Sequence, residues 1–412
     1  MSLVSRRLRL LPARPRRGRD ITPLTGSARE VETDDGALLH VEVDELDETG
    51  GAGAAGAPGP GRAPGEEPAP TVVLLHGYGL SADAWHFQRR ALRGRYRLVL
   101  PEHRGHGRSG RGPAGPVTVE RVADDLGQVL DAVVPEGPLV LVGHSLGGMT
   151  IMALAVRRPD LLERVRGVAL VATSAGGLAG YDHGLPLLGR HLVRWAELLL
   201  ARAAGRTALL ERGRKVGADV EQRLVHHWSF ASPVPPEVSR FAARMMAGTT
   251  VEVIADLLPA FSTLDLHGSL AALSGRPVLV VTADRDLMTP ADHGRRIADA
   301  VEGAEHVLVR RAGHLVMLEH PGIVTARLER LLARVAGRAV VPPARAARPA
   351  DPRAGEVRHA GHVPGGRGHV GHVGHVAGRP GGGVPGTGHV ERGGPAPHEV
   401  VVPDVRATGR HP

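Results

Sequence analysis

Ser145 sits in the run LVLVGHSLGG, residues 139–148. There an apolar, β-branched stretch breaks into Gly-His-Ser-Leu-Gly and resumes as the helically spaced apolar segment Met149–Val156. A serine hydroxyl raised on such a strand-to-helix bend is suited to nucleophilic attack on an acyl carbon. Gly143 and Gly147, on either side of the bend, leave room for the reversal. The start of the following helix aims N–H groups and the positive end of its dipole at the same spot. In a chain with 56 glycines among 412 residues, a bare Gly-x-Ser-x-Gly is expected roughly 0.2 times by chance. The weight of the signal therefore lies in its partners.

Upstream, Thr71–His76 reads as a short apolar strand ending in His76-Gly77-Tyr78-Gly79. The backbone N–H groups of Tyr78 and Leu146 would together form a two-donor oxyanion hole. Downstream, the expected strand Pro277–Thr282 leads into Ala283-Asp284-Arg285-Asp286-Leu287-Met288-Thr289-Pro290. A last strand, His306–Arg310, leads into Arg311-Ala312-Gly313-His314 and then Glu319-His320-Pro321. Serine, acid and histidine appear in that order, each just past the C-terminal end of an expected strand, which is where sites collect in parallel α/β sheets. On position alone either Asp284 or Asp286 serves as the acid.

Together with the Arg104–Ser109 bend (RGHGRS), these motifs resemble the α/β-hydrolase superfamily over roughly residues 28–338. The resemblance implies an α/β-hydrolase fold: a mostly parallel sheet, helices on both faces and a helical cap insert. It makes Ser145 the nucleophile, His314 the general base and later the acid, and Asp286 the residue that orients His314. The family's acid usually stands four residues before a proline, as Asp286 stands before Pro290, with Asp284 as the alternative. Two positions depart from the pattern. Ala283 replaces the usual glycine of the acid loop, and Glu102 stands where the bend normally has an aspartate. Some members take the acid from after the preceding strand, but Val168–Ala175 offers no carboxylate.

The expected activity is hydrolysis of a carboxylic ester or related small-molecule acyl substrate through an acyl-enzyme, with no cofactor and no metal. Cofactor-free perhydrolysis of the haloperoxidase type, amide hydrolysis and acyl transfer stay open with the same triad. A catalytically silent scaffold for ligand binding is the non-enzymatic alternative. Among the other histidines, His76 and His144 are expected to pack or to support the site, and His103 and His106 to be structural or solvated. His226 and His227, beside Trp228, are candidates to line a pocket.

Composition bounds these readings. Cysteine is absent, which excludes a disulfide, a thiol nucleophile and a zinc finger. No apolar run approaches the ~20 residues needed to cross a bilayer. The Arg-rich start, Arg6–Arg19, lacks the continuous apolar stretch of a secretory signal, so a cytoplasmic protein is expected. The net charge of +8 divides unevenly: residues 1–20 carry seven Arg against one acid and residues 339–412 nine Arg against five acids, leaving the remainder at −2. The basic balance thus belongs to the tails, and no specific nucleic-acid partner is expected.

The elements fall into segments. Residues 1–27 read as a disordered basic segment, and Val31–Val43 as a hairpin about Asp35-Gly36 with alternating sides. Residues 47–70 contain a Gly/Ala/Pro run that reads as a flexible loop. Strands and helices then alternate through residue 175, with helices near Ser81–Leu92 and Val119–Val133 and a strand at Arg97–Leu100. From 176 to 276 the rhythm stops. Amphipathic pieces around His191–Ala203, Ala218–His227, Val238–Met246 and Thr250–Leu258 make this the cap. The second core part spans 277–338. Residues 339–412 form a Gly/Pro/His/Arg tail with Gly-His-Val repeats, whose His362, His369, His372 and His375 are not preorganised for a metal.

Overall fold

The computed structural model describes residues 20–46, 68–178, 225–337 and 399–402. The expected helices at His191–Ala203 and over most of Ala218–His227 lie outside the described residues, as do residues 1–19, 47–67 and nearly all of the tail.

Among the described residues nine strands form one sheet: β1 (Ser27–Glu32), β2 (Leu38–Asp44), β3 (Thr71–Leu75), β4 (Leu98–Pro101), β5 (Leu139–His144), β6 (Val165–Val171), β7 (Val278–Ala283), β8 (Glu305–Val309) and β9 (Glu399–Val402). Their order is β1-β2-β4-β3-β5-β6-β7-β8-β9. β2 runs antiparallel to both β1 and β4, and every other pairing is parallel. After β3 the chain moves to one side to make β4, then returns to the other side of β3 to make β5. The C-terminal ends of β3 and β5 therefore flank a topological switch point, the place where open α/β sheets leave a crevice.

Strand side chains alternate between two cores, as a period of two requires. Val73, Leu75, Val99, Leu139 and Leu141 enter one. Val72, Leu74, Leu98, Leu100, Val140 and Val142 enter the other. Both faces are buried, so the parallel strands read as continuous apolar runs rather than alternating ones. Helices α2 (Val119–Val133), α3 (Leu146–Arg157), α4 (Pro159–Arg164) and α7 (Ala291–Ala300) contribute to the first core, and α1 (His86–Leu92) and α9 (Pro321–Val335) to the second. In α2, Thr118 caps the N-terminus by accepting from Arg121 N (3.1 Å). Its apolar stripe of Val119, Val122, Leu126, Val129 and Leu130 is buried, each side chain worth about 1.5–3 kcal/mol relative to exposure. Between β6 and β7 lie α5 (Pro236–Ala247) and α6 (Val251–Thr263), where the two described amphipathic pieces were expected.

Three features depart from the sequence reading. First, the chain is held in place from Asp20 onward rather than from residue 28: Asp20 pairs with Arg240 (2.9 Å) and Leu24 O accepts from Arg89 Nη1 (2.8 Å). Second, Glu399–Val402, inside the segment expected to be a disordered tail, pairs with β8 as the edge strand β9. Third, the polar side of β2 is buried, with His40 8%, Glu42 2% and Asp44 3% exposed. Arg89, buried in α1, explains the last point. Its Nε and Nη2 hold Asp44 (2.7 and 2.8 Å) and Nη2 also holds Glu42 (3.0 Å). Burial alone would raise the Glu42 pKa, but hydrogen bonds from Gly26 N, Arg89, His40 and Arg108 outweigh it and hold it at about 2.

Replacing Arg89 with Met takes two hydrogen bonds from the buried Asp44 carboxylate and one from Glu42, and should cost about 3–5 kcal/mol in urea unfolding at pH 7. Because the Glu42 pKa is lowered by folding, its contribution in the native protein is full above its ordinary value and fades as pH falls toward about 2. Denaturation curves at pH 7, 5 and 3 should show this acid-side loss in the native chain and a flatter profile in Arg89→Met. Equal stabilities at pH 7 would contradict the assignment.

Candidate active site

Ser145 joins β5 to α3 with φ 51° and ψ −115°, a conformation L-residues seldom hold. Close approach of backbone enforces it. A Cβ built on Gly143 would stand 2.4 Å from the carbonyl carbon of Gly147, and one on Gly147 would stand 2.5 Å from Leu75 O. Only glycine fits at either position. The strained turn is pinned by hydrogen bonds: Ser145 N donates to Val171 O (3.0 Å), and Ser145 O accepts from Gly148 N (2.9 Å) and Thr173 Oγ1 (2.6 Å). Leu146, buried, opens α3.

The loop after β3 closes on the same bend. A Cβ on Gly77 would lie 2.5 Å from His144 Nδ1 and 3.1 Å from Ser145 Cβ, so Gly77-Tyr78 runs alongside the serine. His76 and His103 hold this loop. His76 Nδ1–H donates to Gly77 O (2.8 Å) and its Nε2 accepts from His103 N (3.1 Å), while His103 Nε2–H donates to His76 O (2.8 Å). His106 Nδ1–H donates to Arg104 O (2.9 Å). Burial pushes His103 down to about 3 and His106 down to about 4, and drives His76 well below its ordinary value, so all three stay neutral. They are structural rather than solvated. The Tyr78 hydroxyl donates to Ile254 O (2.7 Å) and its ring meets Phe261 edge-on at 5.2 Å, tying the loop to α6. Burial raises its phenol pKa.

Past β7, Asp286 is buried in a cradle of donors. Its Oδ1 accepts from Met288 N (2.8 Å) and Thr289 N (2.9 Å), and its Oδ2 from Thr289 Oγ1 (2.9 Å). His314 Nδ1 lies 2.9 Å from Oδ2 and 3.1 Å from Oδ1. With a carboxylate as acceptor, Nδ1 carries the proton, and Nε2 is left as the basic nitrogen. Burial would raise the Asp286 pKa, but the charge and hydrogen bond of His314 and the N–H groups of Thr289 and Met288 together lower it. Asp284 turns elsewhere, accepting from Ala312 N (3.3 Å) and standing 3.9 Å from Arg310. The structure therefore joins His314 to Asp286 and not to Asp284.

His144 brings the serine and histidine segments together. Its ring lies 4.7 Å from that of His314, and its Nε2–H donates to His314 O (3.0 Å). Burial holds it down to about 3. Thr289 was not anticipated as a donor to Asp286, although an Asp followed two and three residues later by free N–H groups is a turn signature a sequence can show. His226 and His227 are exposed, and His226 Nδ1 contacts Ser239 Oγ at 3.4 Å. A second buried serine–histidine contact, Ser174 Oγ to His293 Nδ1 at 2.7 Å, includes a hydroxyl that also accepts from Gly176 N (3.0 Å). Among the described residues no group of three or more His, Asp or Glu is arranged to hold a metal ion, and no helix is long and apolar enough to cross a membrane.

Residues 70–321 match the family described as alpha/beta hydrolase fold. RutD of Caulobacter sp. (strain K31), provisionally named a carbamate hydrolase, is 29% identical over 261 residues, spanning 59% of this chain and 83% of that protein. A hydrolase from Pseudomonas aeruginosa PA01 superposes with a TM-score of 0.54 at 26% identity, covering 74% of this chain and 98% of that one. The enol-lactonase from Burkholderia xenovorans LB400 shares the fold with a TM-score of 0.56 at 24% identity, covering 74% of this chain and 100% of that one.

The close approach at the serine bend makes opposite predictions for two glycines. Gly147→Ala drives a methyl into Leu75 O and should destabilise by about 1–3 kcal/mol or more. Gly322→Ala, in α9 with nothing within 4 Å of the new carbon, should stabilise by about 0.4–1 kcal/mol. Urea unfolding of the two variants reads both signs, and a neutral Gly147→Ala would mean that the bend is looser than described.

Proposed function

The chain is an enzyme of the alpha/beta hydrolase family, and from that premise we propose that it is a serine hydrolase acting on a carboxylic ester or related acyl substrate. The observation that carries the reading is the buried Asp286–His314 pair, bonded at 2.9 Å and held through His144 beside the bend that bears Ser145. His314 Nε2 takes the Ser145 proton as Oγ attacks the substrate carbonyl. The negative charge that develops on the carbonyl oxygen is met by the N–H groups of Tyr78 and Leu146. Asp286 stabilises the imidazolium, which then protonates the leaving group as the carbonyl–leaving-group bond breaks. Water enters, gives its proton to His314 and its oxygen to the acyl carbon. Ser145 recovers the proton as the acid departs.

The α6 helix, tied to the oxyanion loop through Tyr78 and Phe261, supports a cap over the site, with α5 as part of it. The name of the RutD relative favours carbamate as a second acyl class for the same machinery. Such a substrate needs no new residue, because the carbamoyl carbon is attacked and released by the same steps.

Hydrolysis of p-nitrophenyl esters of graded acyl length, alongside a p-nitrophenyl carbamate, tests the assignment. Ser145→Ala should remove the activity with unfolding unchanged. Asp286→Asn should lower kcat by about 10⁴ through loss of the required tautomer, whereas Asp284→Asn should stay within a few-fold of the native rate. Equal rates in the native chain and Ser145→Ala would overturn the reading, and a larger loss in Asp284→Asn would move the acid.

A further inference from the structure

The main chain on both sides of His314 is fastened to the segment inserted between β6 and β7. On one side, Gly313 N donates to Glu319 Oε2 (2.6 Å). The other oxygen of the same carboxylate, Oε1, accepts from Ala231 N (3.0 Å), from Ser232 N and from Ser232 Oγ (2.6 Å). On the far side, Leu315 N donates to Ser229 O (2.9 Å). The two segments touch with no slack, since a Cβ on Gly313 would stand 2.8 Å from Ser229 O and 2.9 Å from Ala231 N. Glu319 closes α8 (Val316–Glu319), the single helical turn that follows the histidine, so the lever between them is short. A carboxylate suits this place for a definite reason. Both of its oxygens accept, so it can take donors from two segments at once, whereas an amide must turn an NH2 toward one set of N–H groups.

We propose that Glu319 is a positioning residue whose carboxylate clamps the His314 loop to residues 231–232 of the inserted segment. It acts on His314 through Gly313 and touches neither substrate nor the reacting atoms. Movement of the inserted segment, including movement caused by substrate lodged against it, is thereby passed to the imidazole. The inference deepens the hydrolase reading above and rests on it.

The test compares the full native chain with Glu319→Gln, Ser232→Ala and, as a surface control, Asp160→Asn, whose carboxylate pairs with Arg158 on the outside of the molecule. Two quantities are read: kcat and KM with p-nitrophenyl acetate, and the low-field proton resonance of the His314–Asp286 hydrogen bond. Glu319→Gln should lower kcat about tenfold or more, since small misplacements of a catalytic group are that costly, with KM within about twofold and the resonance broadened or lost. Ser232→Ala removes one of the four donors and should give a smaller loss of the same kind, which keeps the idea testable should Glu319→Gln fold poorly. Asp160→Asn should match the native chain. A native kcat and a sharp resonance in Glu319→Gln, with only a lowered unfolding midpoint, would reduce Glu319 to a structural residue and overturn the proposal. Absence of Ser145-dependent turnover in the native chain would instead refute the hydrolase reading, and the resonance would still decide the clamp.

Discussion

Between β5 and α3 the chain doubles back so closely that the space a side chain would need at Gly143 is filled by the backbone of Gly147, and the space at Gly147 by Leu75 O of the neighbouring strand. Ser145 is carried into its unusual backbone angles by that contact and kept there by bonds from its own N and O to β6 and to Thr173. A strained residue persists only where its surroundings over-determine it. Here the surroundings are the parallel sheet itself. The register of β3 with β5 sets Leu75 beside Gly143, and the same register brings the loop after β3 against the serine. The proposed nucleophile and the proposed oxyanion donors are thus consequences of one packing contact rather than separately placed parts.

The opposite side of the site rests on a buried charge. Asp286 is a carboxylate removed from water, a costly state unless its lone pairs are used. Two N–H groups, a hydroxyl and the His314 imidazole use them. This arrangement fixes which nitrogen of His314 carries the proton and which way the ring faces, so one local hydrogen-bond set decides both charge and orientation. The histidines nearby make a complementary point. His76, His103, His106 and His144 are all buried and held neutral, and each turns one ring nitrogen to a backbone carbonyl.

Much of this was legible in the sequence because it is local. The apolar run before Ser145, the two glycines and the resumed helical period lie within a dozen residues, and the alternation of strands and helices along the chain shows in the βα patterning. The choice of Asp286 over Asp284 was different. Two carboxylates two residues apart look equivalent in a string, and only the spacing to Pro290, taken from the family resemblance, separated them. What the sequence hid was tertiary. Nothing near Glu319 announces that Ala231 and Ser232 will meet it, and nothing near β2 announces that Arg89, more than forty residues on, will bury Glu42 and Asp44. β9 was missed for another reason. Three consecutive valines, Val400–Val402, carry a strand signal, but it stands inside a low-complexity tail whose composition masks it.

In the proposed chemistry one serine, Ser145, is activated by His314 to attack an acyl carbon. A fluorophosphonate probe reacts covalently with such a serine and needs no knowledge of the substrate, so mass spectrometry of the intact chain and of its peptides gives the most direct test. The account predicts one adduct per chain, located on Ser145, absent from Ser145→Ala and formed far more slowly in His314→Ala. An adduct on Ser174, the serine of the other buried serine–histidine contact, or no adduct on the folded chain, would contradict it.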